Sequence, residues 1–187
     1  MASKGVVTRY AAFLRGINLG GRRVTGAALC GPFEELGFAE VASFLASGNV
    51  TFRAAGADDP VDLEARIEAA LLAALGSPVD TFVRTAAEVR AIAEQQPFAA
   101  EDVAASDGKL QVTFLRHGPT SDAAAAALTL ATETDRLAVI GREWYWLPSA
   151  GISRSSLDVT AIERALGRGT TRPVRTLARL VARLPPD

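Results

Sequence analysis

The chain has 187 residues, 49% of them apolar and 22% charged, with a net charge of −1; this suits a packed core and excludes wholesale disorder. One cysteine, Cys30, and one histidine, His117, exclude an intramolecular disulfide framework and a Cys/His zinc site built from this chain. No apolar run reaches the roughly eighteen residues that a membrane-spanning helix needs, and Met1–Gly5 opens no secretory signal, so a cytoplasmic protein is expected.

In chain order, Val6–Leu14 is an apolar run of strand length. A glycine-rich stretch, Gly16–Gly21, follows it. Thr25 opens a helical pattern with Leu29, Phe33 and Leu36 on one face, and Gly37 stops it. Pro32 inside that pattern predicts a kinked or split helix. Val41–Ala46 and Val50–Arg53 read as strands on either side of a Ser47-Gly48-Asn49 turn. Asp59-Pro60 is a cap followed by a first-turn proline, and Leu63, Ile67, Leu71 and Leu75 form a core-facing stripe. Val79–Arg84 returns as a strand. Strand, helix, strand, strand, helix, strand is the ferredoxin-like, split βαβ order.

Thr85 and Glu88 have the spacing of a capping box, opening a helix that ends before Pro97. Residues 97–108 read as a polar, alanine-rich connector and the place for a boundary. Leu110–Leu115 alternates as a strand, and the alanine run from Ala123 to Leu130 is helical by propensity. Leu137–Ile140 and Trp144–Leu147 form a second hairpin across Gly141-Arg142, with both tryptophans on one face. Two helices close the chain, one through Val159, Ile162 and Leu166, the other through Leu177, Leu180, Val181 and Leu184. The expected class is α+β: two ferredoxin-like halves packed as a pseudo-repeat. Residues 1–96 form a βαββαβ half plus a connecting helix, and residues 97–187 a βαββαα half.

Four segments carry polar chemistry. In the first, Arg15, Gly16, Asn18, Gly20, Gly21 and Arg22 follow a strand and precede a helix, where bare backbone N–H groups can cradle an anion. It is not a nucleotide-hydrolase P-loop, because Arg22 and Arg23 stand where that motif has Lys and Ser/Thr. The second is Ser47, Gly48 and Asn49, which suit turn geometry and also place polar groups at strand ends. The third contains Ser153 and Arg154 ahead of a helix, and the fourth contains Thr171 and Arg172 ahead of another. Arg175, Arg179 and Arg183 recur every four residues on the polar face of that last helix. Charge is uneven as well: +3 over residues 1–53, −8 over 54–149 and +4 over 150–187. Basic ends that meet would make an anion site. His117, in Arg116-His117-Gly118-Pro119, reads as a surface turn residue.

Together, Arg15-Gly16-Ile17-Asn18-Leu19-Gly20-Gly21, Ser47-Gly48-Asn49-Val50 and Thr171-Arg172 resemble the bacterial domain of unknown function 1697 family, from about Tyr10 to Leu184. The resemblance implies two small α+β units and supplies no activity. The chain departs from the pattern at Arg172-Pro173-Val174-Arg175-Thr176, where the family has Arg-Asn-aromatic-Asn-Thr, and at Ala46, where it often has glutamine.

The function expected from these residues is binding of a phosphate-bearing ligand, a nucleotide or RNA, at the glycine-rich loop, with that loop and the Arg172–Arg175 region converging in space. A standard RNA-recognition sheet is not expected, since Val50-Thr51-Phe52-Arg53 has one aromatic and lacks its signature. Two alternatives stay open: an interaction module that pairs as a homodimer through a sheet edge or Trp144 and Trp146, and an enzyme of unrecognised class. No catalytic residue, metal, cofactor or oligomeric state is assigned, and no membrane partner is expected.

Overall fold

The apolar run after Val6 forms β1 (Val7–Arg15), a central strand with β3 (Asn49–Ala55) on one side and β4 (Asp80–Thr85) on the other. Tyr10, Ala12 and Leu14 point to one face of the sheet and Ala11 and Phe13 to the other, and all five are buried. That is why this strand reads as continuous apolar sequence rather than an alternation. The computed structural model describes residues 7–17, 24–46, 48–55, 59–106 and 109–184.

Strand β2 (Ala39–Phe44) completes an antiparallel sheet of order β2-β3-β1-β4. Helices α1 (Gly26–Glu35) and α2 (Pro60–Leu75) lay Leu29, Phe33, Leu63, Ile67 and Leu71 on its Tyr10 face. The caps are those the sequence signals. Thr25 Oγ1 accepts from Ala28 N at 3.2 Å and Asp59 Oδ1 from Val61 N at 2.8 Å. Thr85 and Glu88 exchange both capping-box bonds at the start of α3 (Ala86–Glu94), at 3.1 and 2.7 Å. Pro32 does not split α1, which is continuous through it. The proline removes a single intrahelical bond late in the helix, and its ring is buried beside Phe33.

The second unit repeats this topology. Strands β5 (Gln111–Leu115), β6 (Asp135–Ile140), β7 (Glu143–Pro148) and β8 (Gly169–Pro173) form an antiparallel sheet of order β6-β7-β5-β8. Helices α5 (Ser121–Leu128) and α6 (Val159–Leu166) cover one face, closing a core of Leu115, Ala127, Trp144, Trp146, Ile162 and Leu166. Two elements differ from the sequence reading. The connector 97–108 contains a short helix, α4 (Ala100–Ala105). A strand, β8, precedes the last helix, α7 (Val174–Val181), so the second half is not βαββαα. Gly169-Thr170-Thr171-Arg172-Pro173 looks like a helix lead-in because its polar letters carry no strand pattern, yet it pairs across the sheet with β5, where Thr171 Oγ1 lies 2.7 Å from Thr113 Oγ1.

By its internal contacts the chain divides into Met1–Arg90 with Leu180–Asp187, and Ala91–Arg179. These divisions fall inside α3 and α7, whereas the sequence suggests a boundary at 96/97.

The repeat reaches individual residues. Arg84 stands opposite Ala11 in the first sheet and Arg172 opposite Val112 in the second, at the same place in each. Both arginines are buried, and each donates Nη1 to the carbonyl of the residue before it, Val83 or Thr171, at 2.8 Å. Among the described residues no helix is long and apolar enough to cross a membrane.

Candidate functional site

Two of the four polar segments meet in the first unit. Arg15 ends β1, Gly16 turns the chain with φ +83°, and Leu14 N donates to Gly48 O at 2.8 Å. Gly48, with φ +74°, lies against the same turn: a Cβ there would stand 2.7 Å from Ile17 Cδ1. Asn49 is fully buried, and its Nδ2 donates to Phe44 O at 2.9 Å, closing the β2–β3 hairpin from within. Leu45 in the same hairpin has φ +59° and is exposed, a strained conformation for a branched residue. Asn18, Gly20, Gly21, Arg22 and Ser47 lie outside the described residues.

The other two segments meet in the second unit, around a cleft of about 730 Å³. Three elements line it. The lead into β5 supplies Lys109 and Gln111, the loop after β7 supplies Ala150 to Arg154, and the β8–α7 junction supplies Pro173 and Arg175. They come together because β5 pairs with β8, Gln111 opposite Pro173. Gly151, with φ +90°, passes close under the lysine: a Cβ there would sit 3.7 Å from Lys109 Nζ. Ser153 and Arg154, on the 3-10 turn Ile152–Arg154, are exposed, as is Arg175 in the first turn of α7.

Among the described residues the lining holds three cations and no carboxylate. The fold itself does not require two of them, Lys109 and Arg175. The register that equates Arg84 with Arg172 also equates Thr8 with Lys109 and Ala87 with Arg175. The same topology is built in the first unit with neutral residues at these two places.

Thr171 and Arg172 do not line the cleft. Thr171 bonds across to Thr113, and Arg172 is buried with Nη1 on Thr170 Oγ1 and Thr171 O, each at 2.8 Å. Burial brings its guanidinium down to about 10. Lys109 and Gln111 are lining residues that the sequence reading missed. The one available signal was that Lys109 is one of only two lysines in an arginine-rich chain.

Groups suited to acid–base work lie elsewhere. His117 is exposed in the turn after β5, and no group of three His, Cys, Asp or Glu that could hold a metal occurs among the described residues. Burial, with the charge of Glu143, pushes the Tyr145 phenol well above its usual range. Trp144 and Trp146 are core residues, 2% and 8% exposed.

Residues 7–145 match the profile of the family described as "Protein of unknown function (DUF1697)". The chain belongs to this family. The DUF1697 match takes in the glycine-rich loop and the first hairpin and stops before Ser153, Arg154 and Arg175, three of the cleft residues. No curated protein matches the sequence. Among solved structures, the conserved bacterial protein SP0830 from Streptococcus pneumoniae is similar at TM-score 0.68 and 20% identity, over 95% of this chain and 98% of that one. At that identity the likeness is one of fold.

Proposed function

We propose that this DUF1697 protein binds a phosphate-bearing small molecule of the nucleotide kind in the cleft of its second unit. The observation that carries the reading is the convergence of Lys109, Arg154 and Arg175, from three separate elements, on one cleft. A multivalent anion in the cleft would gain charge-assisted hydrogen bonds from cations that three elements bring together. Ala150, Ile152 and Pro173 give the cleft an apolar side for the rest of the ligand. The volume lies within the range of roughly 300–1,000 Å³ usual for small-molecule pockets. A nucleotide is favoured over RNA because no aromatic residue lines the cleft to stack successive bases. Among the described residues the lining has no carboxylate, histidine or cysteine, so the reading stops at binding. A cytoplasmic location goes with it. The glycine-rich loop stays in the proposal as a second anion contact, with Arg15, Gly16 and the Gly48 turn as its described part.

Thermal shift and titration with inorganic phosphate, ATP and a short RNA test this. ATP at a hundred times its dissociation constant should add about 2.7 kcal/mol of stability. Arg154→Ala and Arg175→Ala should each weaken ATP binding by about tenfold, the order of a lost charge-assisted bond, and affinity should fall as salt rises. Arg164→Ala, on the exposed side of α6, is the control, and Arg15→Ala reads the glycine-rich loop. No shift with any ligand, or an equal loss in Arg164→Ala, refutes the reading. RNA binding tighter than ATP would replace the nucleotide with RNA.

A further inference from the structure

We infer that Asp135 is the positioning residue of this cleft, holding the loop that carries Gly151, Ser153 and Arg154 through a single bond to Ser155. The inference deepens the binding reading and rests on it for its consequence, though not for its geometry. Asp135 is fully buried at the start of β6, and its two oxygens face different parts of the unit. Oδ2 accepts from its own turn, from Thr132 Oγ1 at 2.7 Å and Thr134 Oγ1 at 3.3 Å. Oδ1 accepts from Trp146 Nε1 on β7 and from Ser155 Oγ, both at 2.7 Å. Ser155 Oγ in turn accepts from Leu157 N at 3.0 Å.

That one carboxylate oxygen therefore joins the core tryptophan to the residue that ends the 3-10 turn. Ahead of the turn the chain is anchored by Ser149 N, which donates to Thr134 O at 2.7 Å. The other hydrogen bonds of residues 150–157 are local: Gly151 N to Pro148 O, Arg154 N to Gly151 O, Ser155 N to Ile152 O and Leu157 N to Ser155 Oγ. Among the described residues, Ser155–Asp135 is the bond that ties this stretch to the rest of the unit. Ile152 on the turn is 51% exposed, and the nearest apolar side chain of the stretch that packs on the core is Leu157, beyond Ser155. A buried carboxylate with four donors is a rigid anchor, because moving it would strand several polar groups at once. Burial works to raise the Asp135 carboxyl, but the donors outweigh it and hold it below its ordinary value of 3.8, ionised at neutral pH.

The test separates the loop's bond from the rest of the network. Ser155→Ala removes the bond and leaves Trp146, Thr132 and Thr134 on Asp135; Ser155→Thr restores a hydroxyl; Thr132→Val removes a bond on the other oxygen. Amide hydrogen exchange without ligand should rise by about tenfold over residues 151–156 in Ser155→Ala, a local opening, and stay near wild type in the other two variants. ATP affinity should fall several-fold in Ser155→Ala alone. Unchanged exchange in Ser155→Ala, or an equal rise in Thr132→Val, overturns the inference, as does faster exchange with unchanged ATP affinity. If the wild type binds no ATP, the binding reading falls, and the exchange comparison still decides whether Asp135 anchors the loop.

Discussion

Replacing Gly48 with alanine probes the junction of the two motifs in the first unit. Gly48 has φ +74°, so any L side chain there carries the left-handed penalty of about 1–2 kcal/mol. Its new Cβ would also meet Ile17 Cδ1 at 2.7 Å and Leu14 Cβ at 3.2 Å. Ile17 is 6% exposed and cannot simply swing into water, and overpacking of this kind costs about 1–3 kcal/mol. The expected loss is about 2–5 kcal/mol, or a fall of several degrees in Tm at about 2–4 °C per kcal/mol for a chain of this size. Gly37→Ala supplies the reference. It has φ +81° but nothing within 4 Å of the built Cβ, so it carries the backbone penalty alone. Ile17→Val removes the very atom that clashes, and in the Gly48→Ala background it should recover part of the loss. The double-mutant cycle measured by urea unfolding should show that coupling. If Gly48→Ala proves no worse than Gly37→Ala, or Ile17→Val gives no recovery, the close approach between these motifs is wrong.

Two other outcomes follow from the same geometry. Gly169→Ala would put a Cβ 2.6 Å from Phe114 O and 2.5 Å from Thr113 Cγ2; a backbone oxygen in mid-sheet yields poorly, so thermal unfolding should show a loss of about 2–3 kcal/mol. Gly31→Ala, inside α1 with open space at its Cβ, should by contrast gain about 0.5–1 kcal/mol. Acid unfolding should report Asp135. A carboxyl whose folded value lies below its unfolded one, about 3.9, contributes fully above that pH and loses its contribution as pH falls through the folded value. Asp135→Asn should therefore be less stable at pH 7, with a shallower acid limb, and the two proteins should converge only once the pH has fallen through the lowered folded value. Glu40 titrates on the same limb, lowered by its bonds to Arg53 and then Arg9. It is exposed, so added salt should weaken its share and leave that of Asp135.

Much of the fold was legible because its signals are local. A cap needs only its own turn, which is why Thr25, Asp59-Pro60 and the Thr85/Glu88 pair marked three helix starts from the letters alone. Hairpins likewise declare themselves within a few residues, as at Ser47-Gly48-Asn49 and Gly141-Arg142. Strand β8 stayed hidden for the opposite reason: its polar letters show no strand pattern, and only pairing with β5 buries Arg172 and sets Thr171 against Thr113. The cleft was half legible. Ser153 and Arg154 stand out as hydroxyl and cation before a helix, but Lys109 and Arg175 are 66 residues apart and meet only through the pairing of β5 with β8.

The element order of the first unit, the faces its helices bury and the exclusion of disulfide and Cys/His zinc chemistry were set by the sequence alone, since each depends on composition or on neighbours a turn away. Which charges share a cleft, and which arginine is buried instead, was decided by tertiary structure. Arg172 and Arg175 are nearly adjacent in the chain, yet strand pairing turns the first into the sheet and leaves the second at the cleft. Electrostatic function depends on distance through space, and no local pattern encodes that distance.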